Sequence, residues 1–134
     1  MKAPRGEGGV VEDCAYEDLT LTNVKVPIYI TSYYPSIPKE VESDLARPVT
    51  PTTPVWRDIR ISHLTAKDCA EAGRIIGLPE SPVTGVTLAE VRIAADQGLR
   101  IVHAKAVRFA TSRIVSKKGQ PLITHDADVA GLAQ

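Results

Sequence analysis

The 134-residue sequence has few of the features that define several common protein classes. Its two cysteines, Cys14 and Cys69, are too few for a disulfide scaffold, and too few for a thiolate zinc site without histidines at motif spacing. No apolar run reaches the ~18 residues of a membrane-spanning helix, and the first residues lack the apolar stretch of a signal peptide. We therefore expect no metal site, no cofactor and no membrane insertion, and a cytoplasmic location for the chain as written.

Charge of neither sign is in excess, since 16 Lys and Arg balance 16 Asp and Glu. This balance argues against nucleic acid or an anionic membrane as the partner, because proteins that bind them usually carry a basic excess. The charges are nevertheless unevenly distributed. The first 58 residues hold nine acidic and six basic residues, whereas the segment from Gln97 to His125 holds six basic residues and no acidic one.

Residues that favour helices are also scarce, with nine Leu, one Met and one Phe. Val, Ile and Thr together number 36, and these β-branched residues favour strands. A length of 134 residues suits one domain with a core of its own. The composition therefore predicts a single all-β domain.

Four eleven-residue stretches of the sequence can be aligned on one another, over 11–21, 56–66, 83–93 and 104–114. Their fourth and sixth positions are always apolar, and so are the ninth and eleventh except at Ser112. Each of these two pairs has the spacing of one strand face, and the two residues between the pairs predict a corner. The fourth and sixth positions are Cys14, Ile59, Val86 and Val107, and Tyr16, Ile61, Leu88 and Phe109.

A further short strand follows each stretch, over 28–30, 74–76, 99–101 and 122–123. Three short strands per unit predict a right-handed parallel β-helix of about four coils. A β-sandwich is the alternative for short strands with turns, but it has no reason to repeat matching positions. Steps of 27 and 21 residues, from Ile59 to Val86 and from Val86 to Val107, fit one coil each, whereas the 45-residue step from Cys14 requires an insertion.

The insertion is the segment from Tyr33 to Pro54, which holds five of the ten prolines. Proline lacks a backbone donor, so we expect a long loop over 33–54. Within it, Lys39 to Ala46 could form a short helix. We expect residues 1–134 to form one β-helix domain, with a C-terminal cap or tail over 126–134.

Three segments resemble a known family. The runs RGEGGVVED, from Arg5 to Asp13, and VPIYITSYY, from Val26 to Tyr34, are similar to the C-terminal part of glycoside hydrolase family 28, the polygalacturonases and related pectinases. GLPESPV, from Gly77 to Val83, resembles the final coils of bacterial members. The resemblance implies a β-helix from a typically secreted family that hydrolyses α-1,4-linked galacturonate with inversion.

The family's catalytic segments do not recur in this sequence. They comprise an Asn-x-Asp segment, an Asp-Asp pair and Gly-His-Gly, whereas the single asparagine here, Asn23, stands in Asn-Val-Lys and the other two are absent. Inverting hydrolysis needs both an acid and a base. The resemblance therefore implies the coils after the catalytic machinery and no catalytic residue. Lys2 matches the lysine of an Arg-x-Lys motif, and Tyr34, with Tyr33 as second choice, matches a tyrosine that contacts substrate.

These observations predict a truncated, enzymatically silent pectinase-like module. The end of a β-helix exposes unpaired strand edges, so we expect a homo-oligomer, with a trimer as one arrangement and the 33–54 loop at the contact. The alternative is a polygalacturonase-type hydrolase that acts on galacturonate polymers with carboxylates from another chain or an unrecognised site.

Two groups of polar residues are further candidates. Arg92 and Arg113 share the tenth position of the repeat and would stack about 5 Å apart. With Arg108 they form a candidate stripe for an acidic polysaccharide, the alternative being a solvated face. A second column predicts a turn: Asp13, Asp58, Gly85 and Ala106. We expect the three histidines, His63, His103 and His125, on the surface.

Overall fold

A computed structural model describes residues 1–34 and 36–132 and shows an all-β chain. The strands are β1 (Val10–Thr22), β2 (Ile28–Thr31), β3 (Val55–Ile76), β4 (Val83–Ala110), β5 (Arg113–Ser116) and β6 (Leu122–Ala130). The only helical segment in the described part is a 3₁₀ turn at Val41–Ser43. None of the described helical residues makes a helix long and apolar enough to cross a membrane.

All of the strand pairs are parallel, in the order β1-β3-β4-β5, with β2 also on β3 and β6 also on β4. Val11 of β1 pairs with Trp56 of β3, which pairs with Val83 of β4. These three residues begin the first three sequence repeats, so the register that the repeats predict is confirmed. The fourth repeat keeps it where β5 begins, since Ile93 pairs with Ile114.

The parallel register stacks equal repeat positions into columns, a column being a set of residues paired through successive strands. Tyr16, Ile61 and Leu88 form the column of the sixth position. Ile61 and Leu88 are buried, and they belong to one core that extends across β2, β3 and β4. Burial of apolar surface is the main favourable term in folding, so the repeated apolar positions supply the core.

Left-handed backbone recurs at two positions of each repeat, the third, before the first apolar pair, and the eighth, between the two pairs. In the predicted turn column, φ is +53° at Asp13, +56° at Asp58, +73° at Gly85 and +54° at Ala106. A second set of left-handed residues comprises Asp18, His63, Glu90 and Thr111. Such residues interrupt the regular pleat and change the direction of the strand. The predicted corner between the apolar pairs and the turning role of the Asp13 column are therefore confirmed.

The proline-rich loop contains no strand in its described residues, as predicted, but it folds back onto the chain. Val41 is fully buried and lies with Tyr33 in a second apolar cluster against Ile76 and Leu78. The helix expected over 39–46 is reduced to the 3₁₀ turn, which has no side-chain cap at its N-terminus. Burial of Val41, rather than helix propensity, holds this part of the loop.

The C-terminal segment differs from the expected cap or tail over 126–134. β6 continues through Asp126 to Ala130, and Ala127 and Val129 pair with Ala104 and Val107 of β4. The physical reason is the alternation of Ala127 and Val129 with polar residues, which directs both apolar side chains against the core. The last two residues of the expected tail, 133 and 134, lie outside the described part of the chain.

Within a column, the residue on β1 is less buried than its partner on β3. Leu64 of β3 is 1% exposed, whereas its partner Leu19 of β1 is only partly buried. Tyr16 is 41% exposed, although its partner Ile61 is buried. The reason is that β1 has a strand neighbour on one side only among the described residues.

This gradient of burial predicts different costs for one substitution at two positions of the same column. We expect Leu64→Ala to lower the free energy of unfolding by about 2–5 kcal/mol, because it leaves a cavity in a closed core. Leu19→Ala removes the same atoms from a half-exposed site and should cost about 1 kcal/mol. Urea denaturation of both variants tests this, and equal losses would contradict the assignment of β1 to an open end.

Candidate functional site

The first three residues lie beside β2 and present Lys2 at the surface. Lys2 pairs with Thr31 in a parallel bridge, and the Ala3 amide donates to the Thr31 carbonyl at 3.0 Å. The Lys2 Nζ lies 5.0 Å from the ring centroid of Tyr34 and 5.6 Å from that of Tyr29. The two residues expected to bind substrate are therefore neighbours, and the contact adds Tyr29.

This cluster has the chemistry of a binding surface. An ammonium near two aromatic rings makes cation–π contacts, and Tyr34 is 61% exposed. Arg74, whose Cζ is 5.9 Å from the Tyr29 ring, is held by Glu71 through two hydrogen bonds. The cluster can present a cation and aromatic surface to a ligand, and it does not contain the two carboxyl groups that glycoside hydrolysis uses.

A network of four charged or polar side chains connects distant parts of the chain. Arg5 donates from Nε and Nη2 to the two oxygens of Glu80, at 2.7 and 2.8 Å. Its Nη2 is also 3.0 Å from Oδ2 of Asp44, and the Tyr33 hydroxyl donates to that oxygen at 2.6 Å. The Glu80 side chain is 3% exposed. The network thus ties the N-terminal segment and the proline-rich loop to the connection between β3 and β4.

The charges of this network follow from its hydrogen bonds. The bond from Tyr33 and the Arg5 guanidinium lower the pKa of Asp44. Burial raises the pKa of Glu80, but the hydrogen bonds and charge of Arg5, together with backbone hydrogen bonds, outweigh it and the pKa lies below its usual value. Burial and the bond to Asp44 raise the pKa of the Tyr33 hydroxyl. At neutral pH the network therefore holds two carboxylates, one guanidinium and a neutral phenol.

The three arginines of the predicted stripe do not share one face. Arg92 and Arg113 are partners across β4 and β5, which confirms their shared column. Arg108 pairs instead with Ala130, and its Nη2 lies 3.2 Å from Oδ2 of Asp128. Arg108 precedes the left-handed residue Thr111, whereas Arg113 follows it, so the corner separates them. The stripe is thus corrected to a pair.

His103 is not on the surface as expected. It is 3% exposed, and its Nδ1 lies 2.7 Å from Oδ2 of Asp126, with its Nε2 3.4 Å from the Val41 carbonyl oxygen. The reason is that His103 and Asp126 are left-handed residues at adjacent positions on β4 and β6. His125, next to Asp126 in sequence, is exposed.

The other charged corner pair lies in solvent. His63 is exposed, as predicted, and its Nδ1 is 2.7 Å from Oε2 of Glu90. Among the described residues, no three His, Cys, Asp or Glu side chains are grouped so that they could hold a metal ion. The two histidines with left-handed backbone, His63 and His103, thus each lie against one carboxylate of a neighbouring strand.

The buried network predicts a large effect of neutralising Glu80. Glu80→Gln leaves Arg5 without one of its buried counter-charges and should lower the free energy of unfolding by about 3 kcal/mol. Glu12→Gln is the matched control, because its partner Arg57 lies in solvent and exposed ion pairs contribute little. Urea denaturation at neutral pH measures both, and equal effects would show that the network does not stabilise the fold.

The lowered pKa of Glu80 adds a pH dependence to the same comparison. A folded-state pKa below the ordinary value of 4.5 contributes stability above that pH, and the contribution is lost as the pH falls through the folded-state pKa. The difference between the unchanged chain and Glu80→Gln should therefore shrink in acid. A difference that stays constant on acidification would contradict the ionised state assigned to Glu80.

Compared with protein-family models, with curated proteins and with solved structures, the chain has no match. The similarity to glycoside hydrolase family 28 accordingly remains a prediction from the segments 5–13, 26–34 and 77–83. The contact between Lys2 and Tyr34 is compatible with a sugar-binding surface and does not identify the ligand.

Proposed function

We propose that the strands wind as a right-handed parallel β-helix of about four coils, and that the chain is a non-catalytic, pectinase-like module that associates with copies of itself. The support for the winding is the pairing of β4, which has β3 along one edge and β5 and β6 along the other, always in parallel. Parallel neighbours in a sheet require crossover connections, and these are almost always right-handed.

The observation that carries the proposal of self-association is the exposed apolar side of β1. We define the β1 face as the inward positions of that strand: Val11, Cys14, Tyr16, Leu19 and Leu21. None of the five is buried, whereas their partners in β3 all are: Trp56, Ile59, Ile61, Leu64 and Ala66. An apolar cleft of about 190 Å³ opens here, with Tyr16, Leu19 and Ile30 in its lining. Exposed apolar patches of this kind mark interaction sites.

The backbone of β1 also favours an added partner strand at this end of the sheet. β1 is 13 residues long and pairs only with β3 in the described part of the chain. Its outer edge therefore carries unpaired N–H and C=O groups that favour pairing with another strand. A strand added by a second copy would satisfy these groups and cover the β1 face together.

The charges of β1 favour one arrangement of the copies. The strand carries four carboxylates, Glu12, Asp13, Glu17 and Asp18, and no Lys or Arg. Two β1 edges placed against each other would oppose like charges. The opposite end of the sheet includes the segment from Gln97 to His125, which has six basic and no acidic residues. Contact between unlike ends is heterologous, and such contacts close into rings, a trimer among them, or extend into filaments.

The proline-rich loop is less suited to this contact than its sequence suggested. Tyr33 and Val41 belong to the loop that the sequence predicts at the contact, but they are buried within their own chain. Leu45 and Val49 remain exposed, at 80% and 71%. We therefore propose that the contact lies at the β1 face rather than on the loop.

Four carboxyl groups that lie against arginines are unsuited to the acid step of glycoside hydrolysis. A general acid for glycoside hydrolysis needs a raised pKa. The pKa values of Glu42 and Asp128 are lowered by hydrogen bonds from Arg100 and Arg108. Those of Asp44 and Glu80 are lowered within the Arg5 network. These carboxylates hold arginines in place and are unsuited to donate a proton to a leaving group.

Light scattering after size-exclusion chromatography tests the association. We expect the unchanged chain at a multiple of 14.4 kDa. Tyr16→Asp adds a charge to the β1 face and should shift the chain to a monomer. Leu45→Asp is the matched control, since it places the same charge at a more exposed apolar residue outside that face.

Circular dichroism and thermal melting of Tyr16→Asp separate dissociation from unfolding. A folded Tyr16→Asp monomer beside an oligomeric Leu45→Asp would support the β1 face. A single 14.4 kDa species for the unchanged chain would overturn self-association. Dissociation by Leu45→Asp alone would place the contact on the loop.

A reducing-end assay on polygalacturonate tests the absence of catalysis. We expect no release of reducing ends above a heat-treated sample. Turnover that Asp58→Asn abolished in a folded protein, while Glu12→Gln retained it, would contradict the proposal. It would instead support a hydrolase with a site in the Asp13 and Asp58 column.

A further inference from the structure

Arg92 and Arg113 are arranged unlike most other arginines of the sheet. Arg57, Arg74, Arg100 and Arg108 each lie against a carboxylate, respectively Glu12, Glu71, Glu42 and Asp128. Arg74 and Arg100 are partners of each other on adjacent parallel strands, and so are Arg92 and Arg113, about 4.8 Å apart along the column. Arg92 and Arg113 differ from the other pair because both are exposed and the described residues place no carboxylate within ion-pair distance of either.

Two equal charges directly opposite each other on neighbouring strands destabilise a sheet. The third residue of this column is Thr65 of β3, which pairs with Arg92 and adds no counter-charge. The pair therefore costs stability in the isolated chain. An anion bound between the two guanidinium groups would remove that cost. Binding sites often lower the stability of a protein in this way when they are empty.

The surface beside the pair is concave and lacks acidic residues. Two adjoining grooves, of about 790 and 240 Å³, are both lined by Arg92 and Arg113. Lys67 adds a third cation to the smaller groove, and the hydroxyl-bearing residues Thr65 and Thr111 lie one in each. No Asp or Glu is among the lining residues of either groove. We refer to this surface as the Arg92–Arg113 groove.

We propose that the Arg92–Arg113 groove binds a linear anionic glycan that presents oxyanions to both guanidinium groups. A guanidinium binds a carboxylate or a sulfate through two parallel hydrogen bonds, so two stacked guanidinium groups suit a chain with repeated oxyanions. Hydroxyl groups in the lining can bond to sugar hydroxyls. This site lies away from the Lys2 and Tyr34 cluster, but Arg113 also belongs to the basic segment that is proposed to meet β1 of another copy.

The lining of the groove distinguishes a glycan from a nucleic acid. Sites for single-stranded nucleic acid stack bases on aromatic side chains, and no aromatic residue lines either groove. The chain also has zero formal charge, without the general basic excess of nucleic-acid binders. Carboxylated and sulfated glycans share the chemistry that the groove recognises, and binding measurements can separate them.

Isothermal titration of the full chain with three polysaccharides tests the proposal. The probes are alginate, which carries carboxylates, dextran sulfate, which carries sulfates, and neutral dextran. We expect binding to at least one anionic probe, with the tighter one giving the preferred oxyanion, and no binding to dextran. Arg113→Gln should weaken that binding at least tenfold.

Arg60→Gln is the matched control, because Arg60 is an exposed arginine of β3 outside the groove and the substitution removes the same charge. We expect it to change the affinity less than twofold. The melting temperature of Arg113→Gln should equal or exceed that of the unchanged chain, since the substitution relieves repulsion with Arg92. Loss of binding in this variant is then not the result of unfolding.

Three outcomes would overturn the proposal. Absence of binding to both anionic glycans would refute it directly. Equal weakening by Arg60→Gln would show general electrostatic attraction without a built site. A change of oligomeric mass in Arg113→Gln with unchanged glycan affinity would assign the arginine pair to the contact between copies.

Discussion

The parallel register of β1, β3 and β4 is the constraint on which the rest of the structure depends. Backbone hydrogen bonds join equal positions of the sequence repeat, so each side chain has as neighbours the residues one repeat earlier and one repeat later. The apolar positions therefore stack into a core, and left-handed residues such as Asp58 bend neighbouring strands at the same place. The register also explains the unusual surfaces. It places Arg92 on Arg113, and among the described residues it gives β1 a strand neighbour on one side only.

Features carried by the repeat could be predicted from the sequence, because the repeat itself contains the register. The pairing of Val11, Trp56 and Val83 follows from their equal positions, and so does the stacking of Arg92 on Arg113. Arg108 does not belong to that pair, because it holds the fifth position of the repeat whereas Arg92 and Arg113 hold the tenth. The strand from Asp126 to Ala130 gives a weak signal because its polar residues obscure a short alternation. The burial of His103 gives none, because its partner Asp126 lies on the neighbouring strand.

Contacts outside the repeat left no signal in the sequence. Arg5 and Glu80 are 75 positions apart and belong to segments without a common pattern, yet their hydrogen bonds and the one from Tyr33 to Asp44 fasten the proline-rich loop. A loop rich in proline and apolar residues is equally compatible with an interface between copies and with packing against its own chain. The burial of Tyr33 and Val41 shows packing of the loop against its own chain, whereas none of the five residues of the β1 face is buried.

Hydrogen–deuterium exchange read by mass spectrometry at two protein concentrations tests the central claim most directly, namely that copies of the chain meet at the β1 face. The account predicts that peptides covering Val10–Thr22 exchange quickly in dilute protein and become protected on concentration. Peptides from the buried strand β4 should be protected at both concentrations, and those around Leu45 should exchange quickly at both. Protection that developed only around Leu45, or a β1 whose exchange did not depend on concentration, would contradict it.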